Sequence, residues 1–300
     1  MKFEITILGC GSATPTLARN PTSQVVNIMD RYMLIDCAEG TQIQLRKYKV
    51  AFQKIDHIFI SHLHGDHYLG LVGLISSFHL FGRNKTLHIY GPTDLERIIF
   101  DQLKVSSTFL GYPIEFHPLV NDCSELIFED NIVEVFTIPL KHRIYCNGFL
   151  FKEKKKERRL SKALIAKYKI PVEMMTRLKK GEDWGSLKNE ELTLSPHKER
   201  SYAFCSDTCF TETIVPIIKG VNLLYHESTF LNDMKDRAKS TFHSTAKQAA
   251  KIALLAGVDS LLLGHYSARY KSTNEFEVEA KQIYSFVQAV KDGDVIQIPL

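Results

Sequence analysis

The sequence lacks the features of a membrane-bound or secreted protein. It has no apolar run long enough to span a bilayer, and Glu4 interrupts the N-terminal stretch where a signal peptide would be apolar. None of the six cysteines forms a C-x-x-C pair, which argues against a disulfide framework and against a thiolate zinc site. These absences predict a cytoplasmic chain with reduced thiols and no membrane partner.

The net charge is also small, since the formal charge of the 300 residues is only +4. Positive charge is instead concentrated in residues 152–180, which hold 12 Lys and Arg against 3 Asp and Glu, so the rest of the chain is net negative. A solvated surface helix is one interpretation of such a run. The other interpretation is a polyanion-binding insertion, which is supported by the clustering of the basic residues in an otherwise net acidic chain. The clustered basic residues are Lys154, Lys155, Lys156, Arg158 and Arg159.

Strand-like and helical segments alternate on both sides of this basic insertion. Short apolar runs at residues 3–8, 24–29, 32–36 and 55–60 are typical of strands, and residues 68–80 and 94–104 have helical spacing. After the insertion, strands are predicted at residues 202–205, 223–226 and 261–263, and helices at 244–255 and 274–290. This pattern predicts two sheets covered by helices.

Four candidate metal ligands follow the predicted strand at residues 55–60 within a span of six residues. They are His62, His64, Asp66 and His67. Imidazole and carboxylate ligands suit zinc, but four ligands on so short a loop cannot readily close around one ion. They favour two neighbouring ions, each completed by ligands from elsewhere. Such a two-metal site is typical of hydrolases, because it activates water and stabilises charge on a phosphoryl oxygen.

Three further candidate ligands, His142, Asp207 and His265, lie just beyond other apolar strands. Each alone would more often be structural, but together with the histidine loop they favour a dinuclear site that the two oxygens of Asp207 could bridge. Asp66 is placed to ligate a metal and to orient or deprotonate water. His243, outside the ligand set, is a candidate to protonate the leaving alkoxide, with helix capping as the alternative.

Four stretches of the sequence together resemble the ribonuclease Z family of the metallo-β-lactamase superfamily. The His-x-His-x-Asp-His loop within residues 59–71 is similar to the metal motif of the superfamily. Residues 35–42, Ile-Asp-Cys-Ala-Glu-Gly-Thr-Gln, are similar to the Asp-x-Gly-Glu-Gly-Thr-Gln stretch of the family. The Phe-His-Ser-Thr-Ala-Lys-Gln-Ala and Gly-His-Tyr-Ser-Ala-Arg-Tyr stretches at residues 242–249 and 264–270 are the more specific signals.

This resemblance implies an α/β fold, the four-layer αβ/βα metallo-β-lactamase sandwich, forming a single catalytic domain over residues 1–300. Two zinc ions per subunit would lie between the sheets. One would be held by His62, His64 and His142, the other by Asp66, His67 and His265, and Asp207 would bridge them. In the family pattern Asp66 is the proton acceptor, and His243 helps to protonate the leaving 3′ oxygen.

The family acts on precursor tRNA, so the resemblance implies a zinc-dependent endoribonuclease that removes the 3′ trailer. The products would be a 3′-hydroxyl on the tRNA and a 5′-phosphate on the trailer. An inserted arm, residues 152–192 here, would grip the tRNA elbow from the partner subunit of a homodimer. The candidate substrate contacts are Arg19, Ser267 and Arg269, together with Lys154, Lys155, Lys156, Arg158 and Arg159 on the arm.

Two other functions remain open on the sequence. A small-molecule phosphodiesterase or esterase of the same fold would use the same metals and would not need the arm. A non-catalytic RNA-binding scaffold is the second, although the complete ligand set argues against it. The working ion is open between zinc and manganese, because both accept nitrogen and oxygen ligands.

Overall fold

The computed structural model describes residues 1–120 and 122–300. Its strands, in chain order, are β1 (Phe3–Gly9), β2 (Ser23–Ile28), β3 (Arg31–Ile35), β4 (Ile55–Phe59), β5 (Leu87–Pro92), β6 (Ile114–Leu119), β7 (Leu126–Glu129), β8 (Val133–Pro139), β9 (Asn147–Glu153), β10 (Arg159–Leu160), β11 (Thr193–Leu194), β12 (Ser201–Cys205), β13 (Leu223–Glu227), β14 (Ser260–Gly264), β15 (Val287–Ala289) and β16 (Val295–Gln297). Its α-helices are α1 (Thr41–Lys47), α2 (Gly65–Tyr68), α3 (Leu71–Leu80), α4 (Asp94–Val105), α5 (Lys162–Tyr168), α6 (Val172–Lys179), α7 (Asn189–Leu192), α8 (Lys235–Ser240), α9 (Ala246–Ala256) and α10 (Asn274–Lys281).

Two seven-stranded sheets share one architecture. The first has the order β16-β1-β2-β3-β4-β5-β6 and the second the order β15-β14-β13-β12-β9-β8-β7. In the first sheet, β3, β4, β5 and β6 are parallel and the other pairs are antiparallel. In the second, β12, β13, β14 and β15 are parallel and the other pairs are antiparallel. The carboxyl ends of parallel strands gather at one edge of a sheet, where open α/β folds place their chemistry.

Alternation along the strands sorts the core into layers. Ile35 and Phe59 point into the cluster between the two sheets, whereas Leu34 and Ile58 point to the cluster that α1, α3 and α4 cover. Across the interface between the two sheets, Phe59 packs on Phe149 with ring centroids 5.4 Å apart. Helices α9 and α10 cover the far face of the second sheet. The predicted four-layer sandwich is therefore confirmed.

The basic insertion is a folded unit between β9 and β12. It contains α5, α6 and α7 and a two-stranded antiparallel hairpin in which Arg159 pairs with Leu194. Ile170, Leu178 and Leu192 form a small apolar cluster of its own. At its base, the buried carboxylate of Glu153 accepts hydrogen bonds from Nη2, Nε and the backbone N–H of Arg200, at 2.7, 3.0 and 3.0 Å.

Two segments differ from the sequence predictions. The helix predicted over residues 274–290 ends at Lys281, and Val287–Ala289 instead forms the edge strand β15 beside β14. Strand β9 was not predicted, although residues 149–151 form a short apolar run. Within the described residues, no helix has both the length and the apolar character needed to cross a membrane.

Candidate metal centre and active site

All seven predicted metal ligands come together where strands of both sheets end. His62, His64, Asp66 and His67 lie on the loop and short helix α2 that follow β4. His142 follows β8, Asp207 follows β12 and His265 follows β14. The two sheets thus supply the candidate ligands from opposite sides of one site.

The first ligand set consists of His62, His64, His142 and one oxygen of Asp207. Nε2 of His62 lies 3.0 Å from Nδ1 of His64, and Nε2 of His142 lies 3.2 Å from the same Nδ1. Oδ2 of Asp207 lies 3.5 Å from Nε2 of His62 and 3.7 Å from Nε2 of His142. Four ligand atoms therefore converge on one point.

The second ligand set consists of Asp66, His67, His265 and the other oxygen of Asp207. Oδ1 of Asp207 lies 2.9 Å from Nε2 of His265 and 3.4 Å from Nε2 of His67. Oδ2 of Asp66 lies 3.5 Å from Nε2 of His67 and 3.8 Å from Nε2 of His265. Asp207 faces both sets, one oxygen to each, which is the arrangement of a bridging carboxylate.

These residues fit two divalent metal ions. Two nitrogens on one tetrahedral zinc ion, each bonded at ~2.0–2.1 Å, lie about 3.3 Å apart, close to the separations within both sets. The Nε2 atoms of His67 and His265 are buried and make no hydrogen bond among the described residues. Both atoms face Oδ1 of Asp207 without the geometry of a hydrogen bond, and an ion placed between them would give each a bonding partner.

The distal nitrogens of the imidazoles are held by hydrogen bonds. Oδ2 of Asp36 lies 2.7 Å from Nδ1 of His67, and Asp36 also accepts from the backbone N–H and the hydroxyl of Ser61. Nδ1 of His142 lies 3.1 Å from the carbonyl oxygen of Phe242. Such contacts fix the tautomer and direct the opposite nitrogen towards a metal. The sequence showed Asp36 within a family motif but gave it no role.

A buried carboxylate, Glu227, organises the region beside the second set. It accepts from Nδ1 of His243 at 2.8 Å, from the hydroxyl of Thr229 at 2.6 Å and from the backbone N–H of Ser244 at 3.0 Å. Thr229 in turn lies 3.0 Å from Nδ1 of His265. The helix-capping alternative for His243 is wrong, because Thr245 and Gln248 form the capping box of α9.

Neighbouring imidazoles lower the pKa of the two ligand carboxylates, Asp66 and Asp207. Burial favours the neutral acid at Asp207, but the imidazoles of His265 and His67 hold the pKa of this carboxyl well below its usual value. The pKa of Asp66 is likewise lowered by His67 and His265 against the effect of burial. At His243, burial opposes the charged imidazolium, but Glu227 raises the net pKa above its usual value.

Three site residues have backbone conformations that favour glycine. Asp36, Asp207 and His265 have φ angles of 55°, 57° and 58°. This left-handed conformation costs of order 1 kcal/mol for a residue with a side chain. Asp36 and His265 directly follow β3 and β14, and Asp207 lies two residues after the end of β12. The sharp turn at each position directs the side chain into the site.

A cavity of about 180 Å³ opens above the ligands and gives access from solvent. Its lining includes His64, Asp66, His243 and Arg143. The backbone N–H of Ala13 donates to Oδ2 of Asp66 at 2.8 Å, which leaves the other carboxylate oxygen unconstrained by this contact. Arg143, next to His142 in the chain, was not singled out in the sequence, where one exposed arginine carries no signal.

The predicted substrate contacts near the metal centre occupy different environments. Arg19 is only 8% exposed, and its guanidinium contacts the carbonyl oxygens of Ser267 and Tyr270. This placement favours a structural role for Arg19 rather than the substrate contact that the sequence suggested. Arg269 is exposed, packs over the ring of Phe230 and donates to Oγ of Ser267 at 3.1 Å.

Most of the predicted basic contacts on the insertion have partners within the protein. Lys154 pairs with Glu129 and Lys156 with Glu153. Nε of Arg158 donates a hydrogen bond to the hydroxyl of Thr193, and Nε of Arg159 donates to the carbonyl oxygen of Ser195. Lys155 is exposed. The four paired side chains therefore help to fix the base of the insertion, whereas Lys155 and further exposed lysines, such as Lys162, Lys167 and Lys169, face solvent.

Curated relatives named Ribonuclease Z match the chain over nearly its full length. The relative from Bacteroides fragilis is 46% identical, with 99% of each chain covered. That from Parabacteroides distasonis is 46% identical over 94% of each. That from Cytophaga hutchinsonii is 47% identical over 98% of this chain and 95% of the relative.

Solved structures are similar in fold. Human tRNase Z, short form, has a TM-score of 0.74 at 27% identity and covers 99% of this chain and 100% of its own. A long-form RNase Z from yeast has a TM-score of 0.68 at 18% identity, covering 99% of this chain and 42% of its own. A family model described as Anti-Pycsar protein Apyc1 matches residues 3–109, about a third of the chain.

Proposed function

The chain belongs to the ribonuclease Z family and is a tRNA 3′-processing endoribonuclease, and from this premise we propose that it works with two zinc ions. It would cut precursor tRNA to leave a 3′-hydroxyl on the tRNA and a 5′-phosphate on the trailer. The proposal rests on one observation: the two oxygens of Asp207 each belong to a different set of four ligand atoms.

One ion would be held by the first ligand set and the other by the second. Bound there, the pair would lower the pKa of water towards ~7 and neutralise charge on the scissile phosphate. The protein supplies the geometry, since Asp36, Ser61, Thr229 and the carbonyl of Phe242 hold the distal nitrogens of the ligands. Manganese is the alternative ion for the same ligand chemistry.

Asp66 would orient the attacking water and accept its proton. The carboxylate lies in the cavity wall, and its low pKa keeps it in the basic form at neutral pH. The N–H of Ala13 fixes Oδ2, so the orientation of the group does not depend on substrate. A general base held in one position loses no free energy to reorientation during the reaction.

His243 would protonate the 3′ oxygen as it leaves. Its Nδ1 contacts Glu227, so the proton available for transfer is on Nε2, on the side of the cavity. Glu227 raises the pKa of His243, which increases the fraction of the protonated donor at neutral pH. The ring centroids of His142 and His265 lie 5.4 and 5.5 Å from that of His243, so it borders both ligand sets.

Residues 152–192 would act as the tRNA-binding arm of a catalytic domain that spans residues 1–300. Its local positive charge suits contacts with phosphates, which position a substrate without reading its bases. The arm would reach a tRNA held by the partner subunit of a homodimer. The proposed location is the cytoplasm, in keeping with an RNA substrate.

The test is cleavage of a precursor tRNA by the zinc-loaded protein. We expect one cut directly after the discriminator base, with the stated end groups, and no cut with Asp207→Ala, which removes the bridging ligand. Asp122→Ala, an exposed residue outside the site, is the matched control. Hydrolysis of a small phosphodiester such as bis(p-nitrophenyl) phosphate without tRNA cleavage would favour the small-molecule alternative instead.

A further inference from the structure

A second group of imidazoles lies in the first sheet, away from the metal centre. His57, His88 and Glu115 are register partners on the adjacent parallel strands β4, β5 and β6, so their side chains stand in a row on one face. His117 follows Glu115 by two residues on the same strand and therefore shares this face. His57 precedes His62 by five residues, which is roughly 16 Å along an extended chain.

Three ligand atoms converge within this group. Nδ1 of His88 lies 3.1 Å from Nε2 of His117 and 3.3 Å from Oε2 of Glu115. The separations match the spacing of about 3.3 Å between ligand atoms on one tetrahedral ion. They also resemble the separations within the two ligand sets of the catalytic site. Glu115 and His117, two residues apart on β6, and His88 on the neighbouring β5 therefore have the geometry of a chelating site.

The imidazoles are held in position before any ion binds. The ring of His88 stacks on that of His57, with centroids 5.0 Å apart and an interplanar angle of 12°. The ring of His117 stacks on Tyr90 at 4.3 Å, also at 12°. A ligand set with fixed rings loses little conformational entropy when it binds a metal.

The environment of His117 also favours neutral imidazole, the form that binds metals. Burial, followed by the neighbouring His88, lowers the pKa of His117, and burial lowers the pKa of His57 to about 4. The side chains of His88 and Glu115 are 27% and 58% exposed, so an ion could enter from solvent. Nδ1 of His57 is buried and makes no hydrogen bond among the described residues.

We propose that His88, Glu115 and His117 bind a third divalent transition-metal ion, for which Zn²⁺ is the probe. Two imidazoles and one carboxylate form a three-ligand set that suits zinc and leaves a fourth position for water. Calcium and magnesium are disfavoured, since they prefer oxygen ligands. The ion would join β5 to the edge strand β6 and stabilise the native state by mass action.

The test is the zinc content of the full protein after equilibrium dialysis at one buffered free zinc concentration. We expect wild type to hold one more zinc per chain than Glu115→Gln and His117→Gln. His79→Gln, a histidine outside all these clusters, is the matched control and should retain the wild-type content. Zinc should also raise the Tm of wild type above that of the two variants.

Equal zinc content in wild type and both variants would overturn the proposal and leave His88 and His117 as a hydrogen-bonded pair. Glu115→Gln lies at an exposed position, so its fold should survive even if that of His117→Gln does not. The measurement requires no tRNA. Failure of the third site is therefore distinguishable from failure of the proposed nuclease function, and Glu115→Gln should cleave precursor tRNA at the wild-type rate.

Discussion

Nδ1 of His67 lies 2.7 Å from Oδ2 of Asp36, and both side chains are fully buried. Burial raises the pKa of Asp36, while the contact with His67 opposes this rise. The pair spans 31 residues of sequence and joins the end of β3 to α2. This contact directs Nε2 of His67 towards the other members of the second ligand set.

Asp36→Asn should weaken metal binding without disturbing the backbone. Asparagine tolerates the left-handed conformation at this position, so the substitution mainly removes the charge opposite His67. We expect a loss of about 10- to 100-fold in affinity for the ion of the second set, measured by competition with a chelator. Asp30→Asn is the control, because Asp30 also has a positive φ but is exposed. Unchanged affinity in Asp36→Asn would show that the charge of Asp36 does not tune the site.

His64→Ala should separate cleavage from binding. The variant lacks one ligand of the first set, so we expect cleavage of precursor tRNA to be abolished. Affinity for tRNA should stay within a few-fold, because phosphate contacts elsewhere supply most of the binding free energy. Filter binding and single-turnover cleavage measure the two effects, with His79→Ala as the control. A large loss of affinity would contradict the division between metal centre and arm.

Replacing residues 155–198 by an Asn-Gly turn should remove the arm and preserve the metal centre. Lys152 and Ser201 are antiparallel register partners, so the cut ends lie side by side, and the buried pair of Glu153 and Arg200 is kept. We expect KM for precursor tRNA to rise by about tenfold or more, and the salt dependence of binding to flatten by about one unit of log–log slope per lost phosphate contact.

Zinc content and hydrolysis of a small phosphodiester are the controls for this arm replacement. Both should be unchanged if the catalytic site is intact. Cleavage of precursor tRNA at the wild-type efficiency, together with an intact metal site, would exclude the arm as the tRNA-binding element.

Glu153→Gln should destabilise the fold by about 3 kcal/mol, since it leaves the buried guanidinium of Arg200 without a counter-charge. Burial alone would raise the pKa of Glu153, but Arg200 and Lys156 lower it below its usual value. This contribution to the free energy of unfolding is therefore complete above the unfolded pKa of about 4.3 and is lost as pH falls through the lower folded pKa.

Urea denaturation at neutral and acid pH measures this effect. The difference between wild type and Glu153→Gln should shrink as the carboxyl of wild type becomes protonated. Glu129→Gln is the control, because Glu129 is exposed and also pairs with a lysine at the base of the arm. A difference that is the same at both pH values would show that the carboxylate charge is not the source of stability.

The convergence of the seven candidate ligands could be predicted because each follows an apolar strand, and strands of like direction bring their carboxyl ends to one edge. The same pattern holds for Asp36, which also follows a strand, but only the tertiary structure shows that it contacts His67 rather than an ion. Arg19 is the opposite case. Its burial depends on carbonyl groups about 250 residues away, which no local pattern reveals.

The secondary structure was predictable where propensity and tertiary contacts agree. Residues 274–290 have helical spacing throughout, yet the edge of β14 offers unpaired backbone groups that Val287–Ala289 satisfies as a strand. Tertiary pairing thus overrode the local preference. For β9, the Asn147-Gly148 start concealed a buried strand, and Gly148 is required there because a Cβ would lie 2.2 Å from the carbonyl oxygen of Phe204.

The left-handed backbone at Asp36, Asp207 and His265 also bears on how such a protein could change over evolutionary time. At Asp207 and His265 glycine would relieve the backbone cost, so selection for catalysis and selection for folding favour different residues there. A descendant freed from tRNA processing would no longer need the ligands Asp207 and His265, and glycine at these two corners would lower the backbone cost, whereas the carboxylate of Asp36 would still be needed to pair the buried N–H and hydroxyl of Ser61. Glycine at positions 207 and 265, with Asp36 retained, would therefore mark a relative that has kept the sandwich and given up its chemistry.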